Sequence, residues 1–312
     1  MLNAKNSQQA CAEETYAVGV DIGGTKIIVV IANQKGDIVY KEKVKTTGRL
    51  EKIYEHIMRS LSAAGISQEQ IVAIGFGVPG VTDSKEGIVI EAPALSWSHV
   101  PFRDQMQQYF DKPVFVENDV NCAALGERWI GSARNSNDFV VVAIGTGVGS
   151  AIVANGSLVQ GSSHMAGEVA YLVSEQDVID NESNAFGRFG LFEKKISGVA
   201  LAQHGILPHI LFEQYTKRDE NAVSIIHRFV ADLSIGIANI VSLLNPKKVI
   251  LGGGVSQSLH VVIDQICTSV ANLTPVPTEI VLTALGEEAG AVGAVALAFE
   301  QIGVFNQQGG AA

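Results

Sequence analysis

The sequence predicts an α/β protein, and three observations carry that prediction. Apolar stretches of strand length alternate with longer stretches of helical period. Glycine, 32 of the 312 residues, gathers at the ends of the apolar stretches, where the chain must turn tightly. One pattern, strand–glycine turn–strand–turn–strand, occurs twice, at 16–45 and at 138–161, and marks a duplicated architecture.

YAVGVDIGGTKIIVVIANQKGDIVYKEKVK (16–45) reads as three strands. The apolar run 16–20 turns at Gly23 and Gly24, the run 26–32 returns, a polar turn covers 34–37, and 38–44 alternates in polarity. A helical pattern follows over about 50–64, and a strand over 71–75. Residues 114–116 form a short strand that meets an acidic turn and then a helix from near Val120. Composition becomes polar at 131–137, which sets the expected boundary between two domains. The second copy, DFVVVAIGTGVGSAIVANGSLVQG, turns over 145–149 and again at Asn155-Gly156. Helices are expected at roughly 189–204 and 221–243, a strand running into glycines at 247–256, and a helix of small residues over 287–303.

Composition bounds the partners. Apolar residues make up 47% of the chain and the formal net charge is −10. No basic run invites a nucleic acid or an anionic membrane surface, so neither is an expected partner. A small phosphate ligand stays compatible, since it needs only backbone N–H groups and a cation. Cys11, Cys122 and Cys267 are odd in number and far apart, which gives no disulfide framework and no CxxC knuckle. Neither a signal-peptide core nor a run of about 18 apolar residues is apparent, so a cytoplasmic setting is expected.

The candidate chemistry lies at the turns. Asp21-Ile22-Gly23-Gly24-Thr25-Lys26 joins two apolar strands; its glycines can present backbone N–H groups to a phosphate, Thr25 adds a hydroxyl, and Asp21 can hold a Mg²⁺ ion through water. An ordinary hairpin with a solvated aspartate fits the same residues. Gly145, Thr146 and Gly147 make the equivalent turn of the second copy, and Gly253 and Gly254 end a buried strand where an adenosine could lie on bare backbone or where the chain simply turns. Gly75-Phe76-Gly77-Val78-Pro79-Gly80 formally matches GxGxxG, but the stretch after it does not open a helix, so a dinucleotide fold is rejected. In Glu117-Asn118-Asp119 the Asn and Asp suit helix capping; Asp119 equally suits a general base and Asn118 a sugar hydroxyl. The histidines show no metal-ligand spacing.

Together, VGVDIGGTK, GFGVPGVTD, VENDVNCAALGE, GTGVGSAIVANGSLVQG, HMAGEVAYLV and VILGGGVS, in this order, resemble the motifs of the ROK family of sugar kinases and repressors. The resemblance implies two actin-like (ribonuclease H-like) domains around a cleft. These would be 1–134 with 289–312, whose last helix returns to it, and 135–288. It implies ATP and Mg²⁺ on one side and a hexose on the other. Asp119 would be the catalytic base that takes a proton from the sugar, at the 6-hydroxyl by analogy. Gly80, Asn118, Asp119, Glu168 and Glu193 would line the sugar. Asp21, Gly23, Gly24, Thr25, Lys26, Gly145, Thr146, Gly147, Gly253 and Gly254 would line the nucleotide. A homodimer is compatible with the family's habits.

Two departures from the family pattern follow. The zinc-ligand positions of many members read Tyr171, Asn184, Phe186 and Leu191 here, so no structural zinc is expected, and an apolar cluster of Phe186, Phe189, Leu191 and Phe192 is expected to hold the loop instead. A position often held by a sugar-binding asparagine is Ala94, so glucose is not assumed. The alternative is a sugar sensor of the same family with weak or lost catalysis. A DNA-binding repressor is not expected, because only about 16 residues precede the first strand, too few for a winged helix.

Overall fold

The computed structural model describes residues 14–305. Strands β1 (Tyr16–Ile22) and β2 (Lys26–Asn33) are buried almost throughout, whereas β3 (Ile38–Lys45) alternates in exposure and closes the sheet edge with lysines. Helix α1 (Leu50–Ala64) turns Ile53, Ile57 and Leu61 inward, one face at four-residue spacing, and stops at Gly65, whose φ of 68° makes a left-handed cap. Strand β4 (Ile71–Val78) then runs parallel to β1.

A small antiparallel sheet follows, from β5 (Val81–Asp83), β6 (Ile88–Ala92) and β7 (Trp97–Val100), then α2 (Phe102–Gln107), β8 (Val114–Asn118) and α3 (Asp119–Trp129). The first large sheet has the order β3-β2-β1-β4-β8.

The second large sheet repeats the design. Strands β9 (Phe139–Ile144), β10 (Val148–Ala154) and β11 (Ser157–Leu158) form its meander. Next come α4 (Glu175–Ile179), α5 (Glu193–Ile196), α6 (Gly198–Ala202), α7 (Pro208–Thr216), α8 (Glu220–Leu244), β12 (Lys248–Gly252), α9 (Ile263–Leu273) and β13 (Glu279–Leu282). The order β11-β10-β9-β12-β13 mirrors the first sheet: three strands in an antiparallel meander, then two added in parallel.

The single helix expected near 189–204 is instead α5 and α6. Ser197 between them is extended, and its hydroxyl caps α6 by accepting from Ala200 N at 3.1 Å. By length and composition α8 could cross a membrane. Half of its most apolar 18-residue window is buried, however, and Ile226, Phe229, Leu233, Ile237 and Val241 sit in the second core with Val140 and Leu251.

The last helix, α10 (Ala289–Gln301), leaves the second sheet and packs on the first. It fits because side chains are missing where it crosses. A Cβ on Gly19 would overlap Ala291 O, one on Gly75 would overlap Ala294 O, and one on Gly293 would overlap the Cys122 carbonyl of α3. Gly75, part of the formal GxGxxG match that is rejected as a dinucleotide site, serves helix packing.

Candidate active site

The two glycine hairpins end β1 and β9, at equivalent places in the two sheets. In the first, Gly23 N donates to Lys26 O at 2.9 Å, and the Thr46 hydroxyl donates to Gly23 O at 2.6 Å. Gly24 and Thr25 are left exposed at the tip. In the second, Gly145 N donates to Gly147 O at 2.8 Å, and Gly198 N at the start of α6 donates to Gly145 O, also at 2.8 Å.

The glycines here serve different ends. A Cβ at Gly145 or Gly254 would meet nothing within 4 Å, so open volume lies against bare backbone at both. Gly253 has φ of 83°, and a Cβ on it would stand 2.5 Å from Ile144 O. Thr146 is exposed at its hairpin tip. Lys26 has a partner already: its ammonium pairs with Glu287, which also binds Lys43 at 3.0 Å.

The acidic turn resolves which residue caps the helix. Asn118 is the N-cap of α3: its Oδ1 accepts from Val120 N at 2.9 Å and Asn121 N at 3.0 Å. Its amide nitrogen donates to Gly80 O at 2.8 Å. Gly80 holds φ of 88°, and a Cβ there would overlap Glu91 O, so this turn demands glycine. Asp119, the first helical residue, accepts from Val120 N at 2.9 Å through Oδ1, and among the described residues no hydrogen bond engages its Oδ2.

The electrostatics place four carboxylates in one neighbourhood. Burial pushes Asp119 above the usual carboxylate range, against the hydrogen bond from Val120. Asp21, at the end of β1, is pushed up to about 8, first by burial and then by the charge of Asp119, with Lys26 opposing. Glu168 is raised by burial and then by Asp119 and Glu193. The start of α10 closes behind Asp21, since a Cβ on Gly290 would lie 2.8 Å from its carboxyl. A cation beside Asp21 would favour its charged form, and a carboxylate oxygen is a donor of the kind that fits Mg²⁺.

Glu193 is the best-anchored of the four. Its Oε1 accepts from Val148 N at 2.8 Å and its Oε2 from Gly190 N at 3.0 Å, so it ties the second hairpin to the loop before α5. That loop is not closed by the expected apolar cluster. Leu191 and Phe192 are buried, and Phe192 packs on Gly236 in the second core. Phe186 and Phe189, however, are 59% and 47% exposed. An amide does the work instead: Asn184 donates to Tyr171 O at 2.8 Å and accepts from Leu191 N at 2.9 Å, joining three of the four positions at issue. Among the described residues, no three His, Cys, Asp or Glu side chains gather as a metal-binding group. The Tyr171 hydroxyl is pushed up by burial and by the charges of Glu168 and Glu193, with the Gly187 backbone opposing, which puts a phenol beside the carboxylates. Ala94 is exposed beside the first hairpin, its Cβ 3.1 Å from where a Cβ on Gly24 would stand.

Sequence reasoning gave no role to Glu117, although it lies inside the quoted acidic turn. It is 3% exposed, and Oε1 accepts from Asn118 N at 2.8 Å and Asn121 Nδ2 at 3.0 Å. Three polar residues in a row at the end of an apolar strand were the available signal.

The sequence model of the ROK family matches residues 17–301. A glucokinase of Halalkalibacterium halodurans is 32% identical over 270 residues, which are 78% of this chain and 82% of that enzyme. A xylose repressor of Caldicellulosiruptor bescii is 29% identical over 266 residues, 77% of this chain and 66% of the repressor. The crystal structure of a ROK family glucokinase from Streptomyces griseus in complex with glucose and AMPPNP aligns at a TM-score of 0.77 and 30% identity. That alignment covers 91% of this chain and 99% of that one.

Proposed function

This chain belongs to the ROK family, and from that premise we propose that it is a sugar kinase that transfers the terminal phosphoryl group of ATP to a hexose, with Asp119 as general base. Its fold is the α/β, actin-like one of that family. The observation that carries the reading is the division of labour in the acidic turn. Asn118 caps the helix and binds Gly80 O, while the Asp119 carboxylate, bonded to Val120 N through Oδ1 alone among the described residues, acts electrostatically on Asp21 and Glu168.

The chemistry follows from those positions. In phosphoryl transfer the acceptor hydroxyl must be oriented and must lose its proton as it attacks. Asp119 takes that proton, from the 6-hydroxyl of a hexose in our reading, and its raised pKa makes it a stronger base than a solvated carboxylate. Glu168 and the remaining N–H of Asn118 hold neighbouring hydroxyls, with Gly80 and Tyr171 shaping the wall. The hairpin backbones at 23–26 and 145–147, with Gly253 and Gly254 beneath, hold the nucleotide. Glu193 fixes the second hairpin from behind. Asp21, through water, holds Mg²⁺, which when bound neutralises phosphate charge. The two lobes, 1–134 with 289–312 and 135–288, close to exclude the water that would otherwise hydrolyse ATP. The setting we propose is cytoplasmic, where ATP and free hexose meet.

Ala94 and Tyr171 favour one second reading, a sensor that binds sugar without turning it over. Coupled ADP release over a panel of hexoses, including amino and N-acetylated sugars, separates the two. Turnover with at least one sugar is expected. Sugar binding by calorimetry with no ADP release from any panel member would assign the sensor role instead.

A further inference from the structure

The loop that leads to Glu168 begins at Gln160, and Gln160 reaches from the second sheet to the first. Its Nε2 donates to Glu117 Oε2 at 2.9 Å and to Ser84 Oγ at 2.6 Å. Its backbone carbonyl accepts from Ala166 N at 3.0 Å, which closes the loop behind it. The other oxygen of Glu117 is already engaged by Asn118 N and by the Asn121 amide. One buried carboxylate is therefore gripped from two sides, by the turn that carries Asp119 and by the loop that carries Glu168.

We propose that Gln160 is a positioning residue for phosphoryl transfer: acting through Glu117, it sets the peptide before Asp119 and so aims the base. The proposal rests on the kinase reading above. Without the Gln160 amide, a carboxylate that is 3% exposed loses its donor on the side facing the second sheet. A buried oxygen left unpaired is costly, so the side chain turns to find another partner. The Asn118 peptide, bonded to the same carboxylate, turns with it. A base misplaced by a fraction of an ångström loses rate far more than it loses binding. Gln160 holds none of the nucleotide residues, so nucleotide affinity stays where it was.

The test is kinetic, on a hexose that the parent enzyme phosphorylates. Gln160→Glu sets a second carboxylate against Glu117, and kcat falls at least tenfold while the KM for ATP stays within twofold. The reciprocal pair, Gln160→Glu with Glu117→Gln, restores the bond in reverse. The new amide donates to the new carboxylate, its oxygen still accepts from Asn118 N, and the Ser84 hydroxyl turns from acceptor to donor. The double variant is expected to recover kcat to within about threefold of the parent, which a merely disordered loop would not do. If Gln160→Glu does not fold, Gln160→Ala takes its place, with the same fall in kcat expected. A single variant that keeps the parent's kcat, or a folded double variant no faster than the single, overturns the proposal. A parent that turns over no hexose sinks the kinase reading and this inference with it.

Discussion

Asn118 and Asp119 share one turn and separate two tasks that the sequence left open. The Asn118 amide accepts from two N–H groups of the helix N-terminus, and the carboxylate next to it shares only the Val120 N–H, through Oδ1. Half-buried, with desolvation outweighing the hydrogen bond from Val120, Asp119 binds its proton more tightly than a free aspartate does. The sign of the consequence is definite. A base must be deprotonated to act, so kcat/KM falls as pH drops through the raised pKa. The acid limb of the pH–rate profile is therefore expected above the ordinary aspartate value of about 4. An acid limb at or below that value would mean that the carboxylate is solvated and not in the site described. Asp21 and Asp119 themselves were legible in the sequence as carboxylates at strand ends. The repulsion between them was not, because they lie 98 positions apart in sequence and meet only through the pairing of β1 with β4 and β4 with β8.

Helix α1 and the loop before α5 show what sequence discloses about an element and what it does not. The span of α1 was readable because its inward positions repeat with helical period and a glycine follows its end. The loop at 180–192 was readable in outline, through Gly187 with φ of 72° and Gly190, where a Cβ would overlap Ala170 O. Its fastening was misread. Four apolar residues suggested burial, whereas Asn184 closes the loop with two hydrogen bonds and leaves two phenylalanines outside. Removing that amide strands a carbonyl and an N–H, at a cost of about 1 kcal/mol or more each where they are shielded from water. Asn184→Ala is expected to raise the KM for sugar several-fold and the KM for ATP by less, because the loop borders Glu168 and Tyr171 and reaches the second hairpin only through Glu193. Saturation with sugar at the parent's concentration would show that Asn184 does not hold the loop. The break at Ser197 was missed for a related reason: one extended serine between two helical patterns leaves the apolar period intact.

At the scale of the molecule, duplication was the most legible feature, because both copies keep the same glycine turns and the two sheets share one strand order. The joins between the copies were the least legible. They depend on partners distant in sequence: Glu127 of α3, which accepts from Thr283 Oγ1; Lys26 with Glu287; and the bare strips at Gly19 and Gly75 that admit α10. No local pattern announces such contacts. In our reading the joins bring the glycine hairpins of the two sheets toward one site, where the charge of Asp119 reaches both Asp21 and Glu168. The most direct measurement of that claim is turnover and sugar binding by Asp119→Asn, a change that keeps size and hydrogen bonding but removes the base. The account predicts sugar affinity within a few-fold of the parent, an unchanged melting temperature, and turnover reduced on the order of a hundredfold or more. Phosphorylation at the parent's rate by a folded Asp119→Asn protein would contradict it.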